Sequence, residues 1–238
     1  MTDFINSALA QHVAAIKKGE EPACANALKS IWDLIPRDSP NLRPVYQHPG
    51  LIDAVIKVVG NDEGEGRING CGILWYISRF DDILRNMYQH SGLMDVLLEV
   101  AKDDTGAALV SAVTAVCNIA SCDGNQRELF KYSGLMDVLM KVVKEDTKDG
   151  RVWALSAIGN IALCEGNLRE FFQHSGLMNV LMEVVKDDTG DARVIALGAI
   201  GNIAFCAGNK RELFQYSGLM DVLMKVVKED NGDGCVSA

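Results

Sequence analysis

Three cysteines, Cys122, Cys164 and Cys206, stand at intervals of 42 residues, and His48, His90 and His174 share another position of the same period. Thiolate and imidazole are nucleophiles and metal ligands, so spacing decides what such a pattern can do. If one interval is one layer of packed helices, equivalent atoms lie about 8–10 Å apart. Zinc holds each thiolate at about 2.3 Å, and a disulfide needs Cα atoms about 4.4–6.8 Å apart. One ion or one bond cannot span the row, and these cysteines are expected to serve as small buried hydrophobes. The histidine position is taken by Tyr132 and Tyr216 in the other copies, always just before a Ser-Gly or Pro-Gly pair. It asks for a flat ring with a polar edge rather than a general base. The chain has no Ser-His-Asp order, glycine-rich phosphate loop or H-E-x-x-H helix. The sequence therefore predicts no catalytic residue, no metal site and no cofactor.

Arg43, Arg85, Arg127, Arg169 and Arg211 recur at the full period, a spacing that would suit a row of phosphates or carboxylates. Glu128, Glu170 and Glu212 adjoin three of them. That neighbourhood favours ion pairing or carbonyl capping between repeats, worth only about 0–1 kcal/mol for an exposed pair. The loops DEGEG, KDDTGAA, KEDTKDG, KDDTGDA and KEDNGDG form a negative ridge. Glu229 to Gly234 imitates the opening of a calcium loop, yet the sequence ends before the distant bidentate glutamate that completes one. A solvated edge is the expected role, and steering of a basic partner is its functional alternative. Overall, 23 Lys+Arg stand against 32 Asp+Glu in 238 residues, a net charge of −9 and a pI near 4.9. Such a balance argues against a general nucleic-acid or anionic-membrane binder, because phosphate affinity rests on clustered Lys and Arg.

The elements that position these residues follow from the repeat itself. Gly50, Gly92, Gly134, Gly176 and Gly218 open the phrases GLIDAVIKVV, GLMDVLLEVA, GLMDVLMKVV, GLMNVLMEVV and GLMDVLMKVV. Residues 118–159 and 160–201 agree at 29 of 42 positions. A period of this length predicts a helical solenoid. Each unit divides into three stretches of helical period. In residues 124–163 the first is NQRELFKY, where Gly124 suits a left-handed cap and Asn125 with Glu128 matches an N-cap and its N3 carboxylate. The second, LMDVLMKVV, carries Asp137 early and Lys141 and Lys144 late, as the helix dipole favours. The third, RVWALSAIGNIALC, is apolar on most of its circumference, as a helix sandwiched between neighbours must be.

A hydrophobic content of 48% with 23% charged residues is ordinary globular usage. The longest nearly apolar stretch, residues 194–207, is too short to span a bilayer and contains Asn202. The opening MTDFINSALAQHV lacks the basic and apolar regions of a leader, so a cytoplasmic location is expected, with the nucleus as alternative. The seven cysteines are expected to stay reduced there.

Short helix, glycine turn, amphipathic helix, acidic loop and long apolar helix resemble the armadillo repeat over nearly the whole chain. The residues that carry the likeness are the Gly-Leu-Met-Asp-Val-Leu phrase and the Ala-Leu-x-Ala-Ile-x-Asn-Ile-Ala phrase at 154–162 and 196–204. HEAT repeats use two helices, and the glycine turns argue for the separate first one. The resemblance implies an all-α, right-handed superhelical solenoid of about five and a half repeats. A single solenoid over 1–238 is expected, with a divergent capping repeat at 1–40. Repeats follow at 41–82, 83–124, 125–166 and 167–208, and an incomplete one at 209–238.

Armadillo proteins generally bind extended segments along a concave surface lined by third helices, where a recurring asparagine clamps the peptide backbone. The matching residues are Asn118, Asn160 and Asn202. A side-chain amide offers one acceptor and two donors, so it can pair with both N–H and C=O of a strand. The structural alternative is that these amides satisfy backbone groups between neighbouring helices. Thr114, Ser156 and Gly198 lie four residues earlier, and Ser111, Trp153 and Ile195 seven earlier. The family's nuclear-import receptors carry tryptophan at the nearer position, so recognition of nuclear-localisation signals is not expected here. Trp153 is a candidate aromatic wall and Tyr76 occupies the asparagine position one repeat before Asn118; packing is the alternative for both.

The expected function is a non-enzymatic scaffold that binds an extended or helical partner segment in this groove. The partner is a protein or peptide, with a basic segment expected from the acidic ridge. The alternative is an end-to-end homo-oligomer formed through the last repeat, where Leu219, Leu223, Val226 and Val227 lack a following third helix.

Overall fold

The structure is a computed structural model that describes residues 2–19, 23–35, 46–146 and 148–229. Two compact units divide the chain, Met1–Val116 and Cys117–Ala238. In the first, α1 (Thr2–Lys18), α2 (Ala23–Leu34), α3 (Leu51–Asn61) and α4 (Glu65–Ile77) are followed by a 3-10 turn at Asp81–Ile83. Next come α5 (Leu84–Gln89), α6 (Leu93–Asp103) and α7 (Gly106–Ser121), the helix in which the unit boundary falls. The second unit continues with α8 (Asp123–Phe130), α9 (Leu135–Glu145) and α10 (Asp149–Ile161). After a 3-10 turn at Glu165–Asn167 follow α11 (Leu168–Gln173), α12 (Leu177–Asp187), α13 (Asp191–Phe205), α14 (Ala207–Phe214) and α15 (Leu219–Glu229). Among the described residues all regular structure is helical, and no single helix is long and apolar enough to cross a membrane.

The glycine phrase builds the second helix of each repeat. Gly134 and Gly176 precede α9 and α12 with φ of 77° and 80°, a left-handed conformation that a Cβ would strain. The chain then turns sharply enough to lay the next eleven residues against the third helix. In α9, Leu135, Met136, Leu139, Met140, Val142 and Val143 are buried, the face that the spacing of apolar residues specifies. Within the second unit α9 packs on α10 and α12 on α13, while α10 and α13 stack directly on each other. Ala154, Leu155, Ala157, Ile158 and Ile161 on α10 meet the same kind of surface on α13 and form the core layer.

The first helix departs from expectation in detail. Helix α8 starts at Asp123, two residues early, with Cys122 extended before it. Gly124 is absent from the positive-φ glycines and Asn125 is no N-cap. Asn125 is fully buried, and its Nδ2 donates to the Ile119 carbonyl at 2.9 Å. The last carbonyls of a helix lack intrahelical partners, and at the bend after α7 the asparagine supplies one. The Asn125 side chain thus caps the end of the third helix rather than the start of the first.

An arginine at the start of the third helix ties loops together. Arg67 Nε donates to the Val59 and Asp62 carbonyls, and its Nη1 meets Asp104 Oδ2 at 2.9 Å. In the second unit Arg151 lies 3.1 Å from Asp188, and Arg193 Nε donates to the Asp188 carbonyl at 2.6 Å. Part of the acidic ridge is thus held in place by cations from the third helices.

Candidate functional site

A third helix that is apolar nearly all round still leaves one strip uncovered when its neighbours stack on both sides. On α10 that strip is Asp149, Val152, Trp153, Ser156, Gly159 and Asn160, continued by Leu163 just past the helix end. On α13 the same places hold Asp191, Val194, Ile195, Gly198, Gly201, Asn202 and Phe205. All fourteen are half-buried or exposed, whereas most of the intervening residues are buried. Sequential positions 3, 4 and 7 apart share a helical face, so the strip is the direct outcome of the 3.6-residue period. Trp153 and Asn160, predicted to share one face, do so.

Two rows of asparagine recur in this unit, and burial separates them. Asn167 and Asn209 are buried and bonded on both sides. Asn167 Nδ2 donates to Gln126 O at 3.0 Å and Ile161 O at 3.5 Å, and Asn209 Nδ2 to Leu168 O at 2.8 Å and Ile203 O at 3.0 Å. Each therefore joins one first helix to the end of a third helix. The row of Asn118, Asn160 and Asn202 is half-buried. Asn160 Nδ2 donates to the Cys117 carbonyl at 3.1 Å, an inter-helix bond, and its Oδ1 accepts none among the described residues. The Asn202 side chain makes no hydrogen bond among the described residues. Asn118 lies at the end of α7, where its carbonyl accepts from Ser121 Oγ at 2.7 Å.

The other candidates fall out unevenly. Ser156 is half-buried on the strip and returns its hydroxyl to Val152 O at 2.9 Å. Trp153 is 37% exposed. Tyr76, Ser111 and Thr114 belong to the first unit. Thr114 is buried and donates to Val110 O at 2.7 Å, and Ser111 is half-buried. Tyr76 is buried with its ring edge-on to Trp32 and Trp75, at 6.2 and 6.4 Å between centroids, and under the Arg79 guanidinium at 5.1 Å. The packing role weighed for Tyr76 is the one its surroundings display.

Among the periodic residues, Arg169, His90 and Tyr216 link one repeat to another. Arg169 Nη1 donates to Gly208 O at 3.0 Å and Asn209 Oδ1 at 3.1 Å, and Nη2 to Glu212 at 2.7 Å. Ion pairing and carbonyl capping coincide in that one side chain; Arg43 lies outside the described residues. Two of the ring positions before the glycine turns reach one repeat back: His90 Nε2 is 3.5 Å from Asp53, and Tyr216 OH donates to Asn179 at 2.8 Å. Cys122, Cys164 and Cys206 are half-buried rather than buried, because they sit at the bend into the first helix. Among the described residues the buried thiols are Cys24, Cys71 and Cys117, and burial pushes Cys71 and Cys117 from 9.0 up to about 12.

Leu163 and Phe205 were missed by sequence reasoning. They are 57% and 79% exposed at the end of the strip. An apolar residue closing an apolar helix reads as core. The available signal was the equivalent residue one repeat earlier, Ser121, which is polar and exposed.

The stacking of these helices is that of the armadillo fold. The chain superposes on computationally designed armadillo repeat proteins for modular peptide recognition with a TM-score of 0.84 at 19% identity, covering 96% of each chain. It superposes on a designed armadillo repeat protein in complex with the peptide (KR)4 with a TM-score of 0.80 at 18% identity, covering 96% of this chain and 95% of that one. An engineered protein gives 0.82 at 17% identity, with 96% of this chain covering 56% of it. At these identities the likeness establishes the fold: an all-α armadillo-type solenoid. No curated protein matches the chain in sequence. The model of the interferon-related developmental regulator (IFRD) family matches residues 110–236, just over half of the sequence, and the chain belongs to that family.

Proposed function

We propose that this chain is a non-enzymatic interaction scaffold, acting in the cytoplasm or nucleus, that binds a segment of a partner protein along the third-helix strip of its second unit. The observation that carries the reading is Asn202. A half-buried side-chain amide with no bond to any described residue is a donor and acceptor pair still to be used. Asn160 keeps an acceptor in the equivalent place. Designed proteins of the same fold, one of them in complex with a basic peptide, support a peptide as the ligand class. The net charge of −9 supports a partner with basic residues and no affinity for duplex DNA. Cross-linking after pull-down, repeated on a variant with Asn118, Asn160 and Asn202 replaced by alanine, tests the reading. Binding should weaken at least about tenfold, because several hydrogen bonds of about 0.5–1.5 kcal/mol each are removed. Cross-links that avoid α10 and α13, or full binding by the variant, would refute it.

A second reading, self-association through the last repeat, draws on the exposed Phe214, Met220, Met224 and Val227. The residues expected there differ: Leu219 and Val226 are buried and Leu223 is half-buried, so only Val227 of that set is exposed. The test is light scattering over a concentration series, with Phe214→Lys and Met224→Lys as the variant that leaves the packed leucines alone. A dimer lost in the variant supports this reading, and a monomer at every concentration ends it.

A further inference from the structure

We infer that the strip selects an extended segment in which basic and bulky apolar residues alternate; this rests on the binding face proposed above and adds the chemistry of its occupant. The strip has three zones along each helix. Asp149 and Asp191 stand exposed at the helix starts, one turn before Trp153 and Ile195. Leu163 and Phe205 stand exposed at the far end. Between them lies a floor of small side chains, Ser156 and Gly159 on α10 and Gly198 and Gly201 on α13.

The floor admits a backbone and not much more. A Cβ added to Gly159, Gly198 or Gly201 would meet nothing within 4 Å, so no contact inside the protein requires glycine at these half-buried helical positions. The asparagines flank the floor, and among the described residues the Asn202 side chain makes no hydrogen bond and Asn160 Oδ1 accepts none. Peptide N–H and C=O groups in an extended chain recur every two residues, about 7 Å, which a pair of amides on adjacent stacked helices can meet. Helical segments keep their N–H and C=O groups bonded internally and offer these amides nothing.

An extended chain sends successive side chains to opposite sides. Laid across the floor, one set of alternate residues faces Trp153, Ile195 and the carboxylates of Asp149 and Asp191. A Lys or Arg fits there, with its methylenes against the ring and its charge among the aspartates. The other set faces Leu163 and Phe205, where a Leu, Ile or Phe removes apolar surface from water. Leu163 belongs to an interior repeat, so its exposure is a property of the strip and not of the last helix. Two apolar residues at one repeat position make a row matched to alternate residues of one strand.

The test uses two peptides of one composition, Lys-Leu-Lys-Leu-Lys-Leu-Lys-Leu and Lys-Lys-Leu-Leu-Lys-Lys-Leu-Leu, each with a fluorescent label, titrated with the full chain. The alternating peptide should bind at least about tenfold more tightly, since only it can place every leucine on one side. Leu163→Ser with Phe205→Ser should abolish that preference while leaving an Asn202-dependent residual affinity. Equal affinities that still fall on Asn202→Ala would overturn the alternation and keep the binding face. Affinities that ignore Asn202→Ala, or no binding of either peptide, would overturn the face itself and this inference with it.

Discussion

Asn167 and Asn209 look interchangeable with Asn160 and Asn202 in sequence, since all four sit at one period and in near-identical phrases. What separates them is whether a carbonyl end lies within reach. Removing Asn209 leaves the carbonyls of Leu168 and Ile203 buried without their donor. An unsatisfied buried polar group costs about 1–3 kcal/mol, so Asn209→Ala should lower the urea midpoint clearly. Asn202→Ala should leave the midpoint unchanged, because its side chain has no hydrogen bond to lose among the described residues. Chemical denaturation of both variants decides the assignment; equal losses would make Asn202 a structural residue. The repeat position of each asparagine was legible, but its partner was not. Partners depend on where a helix stops, and the first helix starts at Asp123 where the cap motif put it at Asn125. Phe205 failed for a related reason: hydrophobicity alone does not say which side of a helix end faces water.

At the scale of the helix, glycine tests whether the strip is reserved for something outside the protein. Glycine in a helix interior is less favourable than alanine by about 0.8–1.0 kcal/mol. Gly159, Gly198 and Gly201 have open space where a Cβ would go, so alanine at each should raise stability by up to about that amount. The same substitutions should weaken partner binding by narrowing the floor, a trade of stability against function. Gly70 is the internal contrast. Its added Cβ would run into Val59 and Leu28 side chains between α2, α3 and α4, and overpacking of that kind costs about 1–3 kcal/mol. Thermal melts of the four single variants should therefore split three against one. A destabilised Gly198→Ala would show that the floor is packed in solution and closed to a backbone. The helices themselves were readable because their apolar period is regular. The roles of individual glycines were not, since a turn glycine such as Gly134 and a floor glycine such as Gly201 are the same letter in equally regular phrases.

Over the whole molecule, stability in a stacked array is close to a sum over repeats and their interfaces, and two thiols report on it from different units. Cys71 lies in α4 of the first unit and Cys117 in the second, both buried. Burial raises Cys71 from 9.0 to about 12, with Asp104 adding to the rise and Arg67 opposing it. Burial alone raises Cys117 to about 12. Because the folded values are raised, the protein keeps its protons where the unfolded chain has already lost them. The contribution to stability is thus complete below pH 9 and falls as pH climbs towards about 12. Each thiol can steepen that fall by up to about 1.4 kcal/mol per pH unit. Replacing both with alanine should flatten the dependence between pH 9 and 11, at some cost in packing at every pH. Urea titrations across that range, on parent and double variant, separate the slope from the offset. Alkylation of the parent with iodoacetamide adds the spatial part. Cys71 and Cys117 should stay unmodified in the folded chain, and each should react only when its own unit opens. Modification of either thiol at the pace of Cys122, Cys164 and Cys206 under native conditions would mean that the core layer around it is open to water.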